Sequence, residues 1–229
     1  MKAMFHWARK NDILEDIPNI DAVSRGKIVH QERFTFSSQE ITKLLAAANA
    51  KMRAMIWLGL NCGFGCTDCA RLRWIDLDFE HHRVKLARNK TGVPRNLPLW
   101  PETVNAMGTL PKTGPLVFYT EEGHPWVRTA TRIQDGGHTK YTTVNAIASM
   151  FARLLKKVKI NVPSGTGFYA LRRTAATLAA RSGDPFAVQR LLGHVNLEMA
   201  TRYVQDVSAQ TDRAIERSRE YLVGGGSVM

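Results

Sequence analysis

The sequence is short of acidic residues and has almost no cysteine. Its 20 Asp and Glu are outnumbered by 32 Lys and Arg, which leaves a formal net charge of +12 and an isoelectric point near 10. An excess of that size attracts polyanions, of which nucleic acid is the commonest. A membrane surface fits less well, because the basic residues are spread along the chain and not gathered on one amphipathic helix. The cysteines are three, Cys62, Cys66 and Cys69, and an odd, clustered set argues against a disulfide framework. No apolar run approaches the roughly 18 residues needed to cross a bilayer. The first ten residues hold no apolar stretch of the signal-peptide kind. These absences point to a cytoplasmic protein without membrane contact. No internal repeat is visible.

With 44% hydrophobic and 23% charged residues, the composition supports an ordinary globular core. Residues 1–14 read as a helix, and residues 15–33, with Pro18, Gly26 and alternating charge, as a linker. The main domain begins near Phe34. Ser37-Ser38-Gln39-Glu40 is a capping box, followed by Ile41, Leu44, Leu45 and Ala48 at helical spacing. Further helices are expected at about 52–60 and 67–72, on either side of the glycine-rich turn 61–65. Strands are expected at 77–80, 84–86 and 95–99, around the turn Lys90-Thr91-Gly92. Pro101 opens another helix. Residues 111–140 read as loop-rich, with a possible short strand at 116–118. The last third is helical: 144–158, 169–181, 186–192, a short helix from Asn196 to Tyr203, and an amphipathic helix at 211–222 before the glycine-rich tail. The fold class is α+β, mostly helical, with a small antiparallel sheet near residues 77–99.

Four segments carry the functional signal. Arg172 lies early in a helix of small residues. Leu191-Leu192-Gly193-His194 follows, and Tyr203 comes nine residues after His194. Lys90-Thr91-Gly92 is followed by Arg95 and Pro98, and Leu72-Arg73-Trp74-Ile75-Asp76-Leu77-Asp78 precedes them. In this order and spacing the set resembles the tyrosine recombinases, or phage-integrase family, over about residues 35–215. The resemblance implies a DNA breaking-and-rejoining catalytic domain that works by site-specific strand cleavage and a 3′-phosphotyrosine link.

The resemblance also implies roles. Tyr203 attacks the phosphodiester, Arg172 grips the scissile phosphate, Lys90 protonates the leaving 5′ oxygen, and His194 hydrogen-bonds a phosphate oxygen. Tyr169 stands where the family usually has histidine. Lys90, Arg95, Arg172 and Arg173 are the expected DNA contacts. The chemistry justifies these residue types. A tyrosine hydroxyl is a workable nucleophile once its proton can leave. Arginines hold charged oxygens in planar, charge-assisted geometry. A lysine can act as general acid. Neither a metal nor a cofactor is called for. The implied partner is double-stranded DNA, with a monomer alone and a homotetramer on paired sites. The implied domains are a residual helix of an N-terminal DNA-binding domain plus linker (1–33), the catalytic domain (34–215), and a C-terminal helix end and tail (216–229).

One position departs from the pattern in a way that bears on activity. The family's first arginine falls at Gly65, with Asp68 in place of the following acid, and losing one preorganised transition-state donor typically costs about 10²–10³ in rate. Arg71, Arg73, Arg88 and Arg173 are candidates to replace it. The alternative is a recombinase-derived DNA-binding protein with weak or no cleavage. Two other readings compete. The C-x3-C-x2-C spacing occurs in iron–sulfur enzymes, but these need a mostly parallel β/α scaffold. Residues 188–204 loosely resemble a helix-turn-helix, but that reading leaves Lys90 and Arg172 without a role.

Overall fold

A computed structural model of the chain describes residues 2–16, 19, 34–133, 138–181 and 184–197, with the backbone alone for Arg132. The chain divides into two compact units, Met1–Arg33 and Phe34–Met229. In the first, helix α1 spans Lys2–Lys10. Arg9 and Lys10 in its last turn suit the negative end of the helix dipole.

The second unit opens with α2 (Ser38–Ala47), capped as its sequence requires: the Ser37 hydroxyl accepts from the Glu40 N–H at 3.3 Å, and the Glu40 carboxylate accepts from the Ser37 N–H at 2.8 Å. Asn49 caps α3 (Ala50–Asn61) by accepting from the Met52 N–H at 2.9 Å. Helix α3 is apolar on nearly every side because it runs through the core, burying Met52, Met55, Ile56 and Leu58 among others. Helix α4 (Cys66–Arg71) and a single 3-10 turn (Trp74–Asp76) lead into a three-stranded antiparallel sheet. Its strands are β1 (Leu77–Asp78), β2 (Arg83–Lys85) and β3 (Asn96–Pro98), in that order. The register sets Leu77 opposite Val84 and Val84 opposite Leu97. Helix α5 (Pro101–Gly108) starts on its proline, as expected for a residue that has no N–H to leave unpaired.

Residues 111–126 form no helix or strand beyond isolated bridges, as the sequence suggests, but the end of the expected loop-rich stretch is a β-ribbon. Strands β4 (Val127–Ile133) and β5 (Thr139–Asn145) pair along their whole lengths, from Val127 opposite Asn145 to Ile133 opposite Thr139. Leu116 makes an isolated bridge to Arg73 and no longer strand. Helix α6 therefore begins two residues later than expected, at Ala146, and runs to Lys157. Helices α7 (Tyr169–Ala180) and α8 (Pro185–Leu192) complete the described elements. The expected helices at 196–203 and 211–222 lie outside the described residues, apart from Asn196 and Leu197.

The core gathers α3, α5, α6 and α7, with an aromatic chain from Phe34 to Phe36, Phe151 and Phe168 at centroid spacings of 5.0, 6.0 and 5.3 Å. Helices α3 and α7 meet closely at Gly59, where a Cβ would stand 3.0 Å from Leu171 Cβ. That contact fixes the height of α7, and so of Arg172, against the end of α3. A buried amide fixes the sheet: Asn61 donates to the Pro98 carbonyl at 3.0 Å and accepts from the Trp100 N–H at 2.8 Å and the Thr103 hydroxyl at 3.1 Å. The end of α3 thus holds both β3 and α5 in place.

Candidate active site

Three chain reversals converge at one end of the second unit. The first is the turn after α3, where Gly63 has φ +61 and Phe64 is fully buried. The second is the tip of the β2–β3 hairpin. Its ladder continues past the strands through Leu86 N–H to Arg95 C=O at 3.0 Å and Arg88 N–H to Val93 C=O at 2.8 Å. The tip then closes through Gly92 N–H to Arg88 C=O at 2.8 Å, with Gly92 at φ +68. The third is the end of α8, which stops at Gly193 in the left-handed conformation, φ 59 and ψ 43.

Arg172 ties the first reversal to the third. It is 2% exposed, in the first turns of α7. Its guanidinium donates to the Gly63 carbonyl and to the Leu192 carbonyl. Its Nε has no hydrogen-bond partner among the described residues. Burial draws its pKa below the ordinary value, yet an arginine remains charged. Gly193 ties the third reversal to the second. Its carbonyl accepts from Arg88 Nη1 at 3.1 Å and from the Thr91 hydroxyl at 3.2 Å. A Cβ here would stand 3.2 Å from Arg88 Cβ and Cδ and 3.3 Å from Arg95 Cδ, so glycine is needed both for the turn and for the approach of the hairpin.

Between these reversals lies an open cavity of about 290 Å³, walled by Gly65, Asp68, Arg88, Lys90, Tyr169 and Arg172 among others. Lys90 and Tyr169 are exposed at its rim. His194, the residue after Gly193, does not line the cavity; it is buried at 5% exposure. Its pKa is pushed down to about 4 by burial and by the charges of Arg172 and Arg88, so its imidazole is neutral near pH 7 and can exchange hydrogen bonds without adding charge. A larger groove of about 710 Å³ adjoins the cavity, sharing Asp68, Arg88 and Asn89 and adding Arg71, Arg73 and Lys85.

Of the residues singled out in the sequence, the structure brings together Lys90, Tyr169 and Arg172, with His194 alongside. Tyr203 lies outside the described residues. Arg173, the next residue along α7, is half-buried. Arg95, expected at a DNA surface, is placed inside instead. Its side chain is fully buried, pairs with Asp68 at 2.7 Å, and sits 4.7 Å over the Phe64 ring. Asp68 also accepts from the Gly65 N–H at 3.0 Å, so Arg95 and Asp68 together brace the turn that carries Gly65. Gly65 itself has ordinary extended dihedrals, φ −94 and ψ 179, and leaves that wall without a cation.

Cys62 and Cys69 are fully buried, and burial pushes the Cys62 thiol up to about 12. Among the described residues no three His, Cys, Asp or Glu side chains gather in a way that could hold a metal. Cys62 and Cys69 pack in the core around the turn and α4, while Cys66 is half-buried and lines the cavity. Sequence reasoning missed the Asp68–Arg95 pair and the two carbonyls that hold Arg172. The glycines at 63 and 193 were the available signal for the latter. Among the described residues no helix is long and apolar enough to cross a membrane.

The fold recurs in solved structures. One is the Tn1549 transposon integrase in complex with transposon right end DNA, with a TM-score of 0.68 at 20% identity, covering 94% of this chain and 76% of that one. In sequence, the chain is 28% identical over 178 residues to the integrase of Escherichia phage P2, covering 74% of this chain and 44% of the relative. It is 26% identical over 221 residues to a XerC-like tyrosine recombinase of Caldanaerobacter subterraneus subsp. tengcongensis, covering 85% of this chain and 56% of the relative. The chain thus spans about half the length of these curated relatives. The phage integrase family pattern matches residues 35–210, the stretch that contains all three reversals, and the chain belongs to that family.

Proposed function

We propose that this chain carries the catalytic domain of a site-specific recombinase that cuts and rejoins double-stranded DNA through a phosphotyrosine link. The observation that carries the reading is the convergence of Arg172, Lys90 and Tyr169 on one open cavity, with the buried His194 close enough to Arg172 and Arg88 to feel their charges. The Tn1549 integrase, which shares the fold, is bound to DNA, and the basic groove beside the cavity offers Arg71, Arg73 and Lys85 to a phosphate backbone.

In this reading the Tyr203 hydroxyl loses its proton and its oxygen attacks the scissile phosphorus. The bond to the 5′ oxygen breaks, and Lys90 delivers a proton to that oxygen. One phosphodiester replaces another, so the bond energy is kept for rejoining. Arg172, preorganised by two carbonyls, meets the charge that builds on the non-bridging oxygens. His194 and Tyr169 supply neutral hydrogen bonds to the same phosphate. Arg95 acts from within, by holding the Gly65 turn. Residues 34–215 form the catalytic domain, and residues 1–33 belong to an N-terminal DNA-binding domain and its linker. The chain is a monomer alone and a homotetramer on paired sites, and it works in the cytoplasm.

The test is covalent capture. Nicked duplexes are selected from a randomised pool for denaturant-resistant attachment to the chain, with Tyr203→Phe as control. An adduct that vanishes in the control supports the reading. DNA binding without any adduct would instead mark a recombinase-derived protein that binds and does not cut, as the glycine at position 65 would suggest.

A further inference from the structure

Phosphoryl transfer to a tyrosine builds charge on two non-bridging oxygens, and one guanidinium already bound to two carbonyls has few N–H groups left for both. The wall at Gly65 adds none. We infer that Arg88 supplies the positive charge that Gly65 lacks, binding the phosphate in the cavity together with Arg172; the inference rests on the recombinase reading above and names a further residue for it.

Among the described residues, elimination and placement both lead to Arg88. Arg71 faces the neighbouring groove and donates to Asn89. Arg73 is paired with Asp76 at 2.7 Å. Arg95 is buried on Asp68. Arg173 is not on the cavity wall. Among the described residues, Arg88 and Arg172 are the two arginines that line the cavity. Arg88 is also held in place: its shaft lies against Gly193, and one of its nitrogens is anchored on the Gly193 carbonyl at 3.1 Å. That anchor uses one of its five N–H donors.

The charges on the wall are unbalanced. Among the described residues no carboxylate pairs with Arg88, and the acid on the cavity wall, Asp68, is taken by Arg95. Arg88 lies near enough to help lower the pKa of both Arg172 and His194. Two guanidiniums and the Lys90 ammonium thus share a small space that a bound phosphate would neutralise. Position 65 is also open. A Cβ there meets only Asp68 Oδ2, at 3.9 Å, so an arginine can be introduced to exchange the charge between the two sites.

The probe is inorganic phosphate, titrated calorimetrically into the full 229-residue chain. Arg88→Gln keeps a long side chain and a donor for Gly193 but removes the charge. It should lower phosphate affinity tenfold or more, as expected for a lost charge-assisted contact, with an unchanged melting temperature. Gly65→Arg combined with Arg88→Gln should restore affinity to within about threefold of wild type. Wild-type affinity in Arg88→Gln, no phosphate binding by the wild type, or failure of Gly65→Arg to restore binding would each overturn the inference. Covalent capture separates it from the recombinase reading. Adducts that form at the wild-type rate in Arg88→Gln remove the role of Arg88 and leave the recombinase standing. Phosphate binding that depends on Arg88 with no adduct in any background keeps the anion site and removes the recombinase.

Discussion

Arg172 donates to the carbonyl of Gly63, 109 residues earlier in the chain, and Gly63 presents that carbonyl only because its backbone is left-handed at φ +61. The site's main cation is therefore aimed by a backbone turn and not by an acidic side chain.

Gly63→Ala should disturb both partners. A left-handed alanine costs about 1–2 kcal/mol, and its Cβ would stand 3.0 Å from Leu192 Cδ2, so the buried Leu192 side chain beside the Arg172 anchor must give way. Urea unfolding should show at least that loss. Adduct formation should fall further than the same loss of stability produces elsewhere, for example in Ser37→Ala, which weakens only the α2 cap.

His194 gives a pH signature. Its pKa is held near 4 against an ordinary 6.5, so the unfolded chain takes up its proton first as the solution is acidified. The stability tied to neutral His194 is complete above about pH 6.5 and is lost as pH falls towards 4, by at most about 1.4 kcal/mol per pH unit. Urea titrations at pH 7.5, 6 and 5 should show this slope in the wild type, and a shallower one in His194→Gln.

Asp68→Ala should destabilise strongly, because it strands Arg95 without its counter-charge in the interior. About 3 kcal/mol is expected, at the low end for a broken buried pair because the Asp68 side chain keeps 12% exposure. Adding Arg95→Met should recover a large part of that loss in thermal melts. An unchanged or worse double variant would show that Arg95 contributes chiefly through Phe64.

The outer part of the β4–β5 ribbon should be dispensable for stability. Residues 139–143 of β5 are exposed, as are Ile133 at 75% and Tyr141 at 71%. Replacing the ribbon beyond the Thr129–Thr143 pair with a two-residue turn should shift stability by less than about 1 kcal/mol. Any loss of DNA affinity in that variant, measured by gel shift, then belongs to contacts and not to folding.

The helices were legible because local chemistry marks them: Ser37 with Glu40, Asn49, Pro101 and Gly193 sit where caps and stops are needed. The β4–β5 ribbon was not. A strand announces itself by apolar alternation when one face is buried, and here neither face of β5 is, until Val144. Only the β-branched residues of Thr139-Lys140-Tyr141-Thr142-Thr143-Val144 marked it, with Asp135-Gly136-Gly137 as the hairpin signal in the sequence between the strands. Lys90, Arg172 and His194 stood out through ordered motifs. Arg95 misled for a general reason. An arginine in a basic chain reads as a surface cation, and its carboxylate partner stands 27 positions away, where no local pattern points to it.

Gly65 has a further consequence, in the genetic code. Its extended backbone does not require glycine, and 3.9 Å separates a Cβ there from its nearest neighbour. Every glycine codon is a single base change from an arginine codon. Neither the room for a Cβ nor a multi-step path therefore holds this position at glycine. A population carrying this gene therefore samples arginine at position 65 repeatedly, one base change at a time.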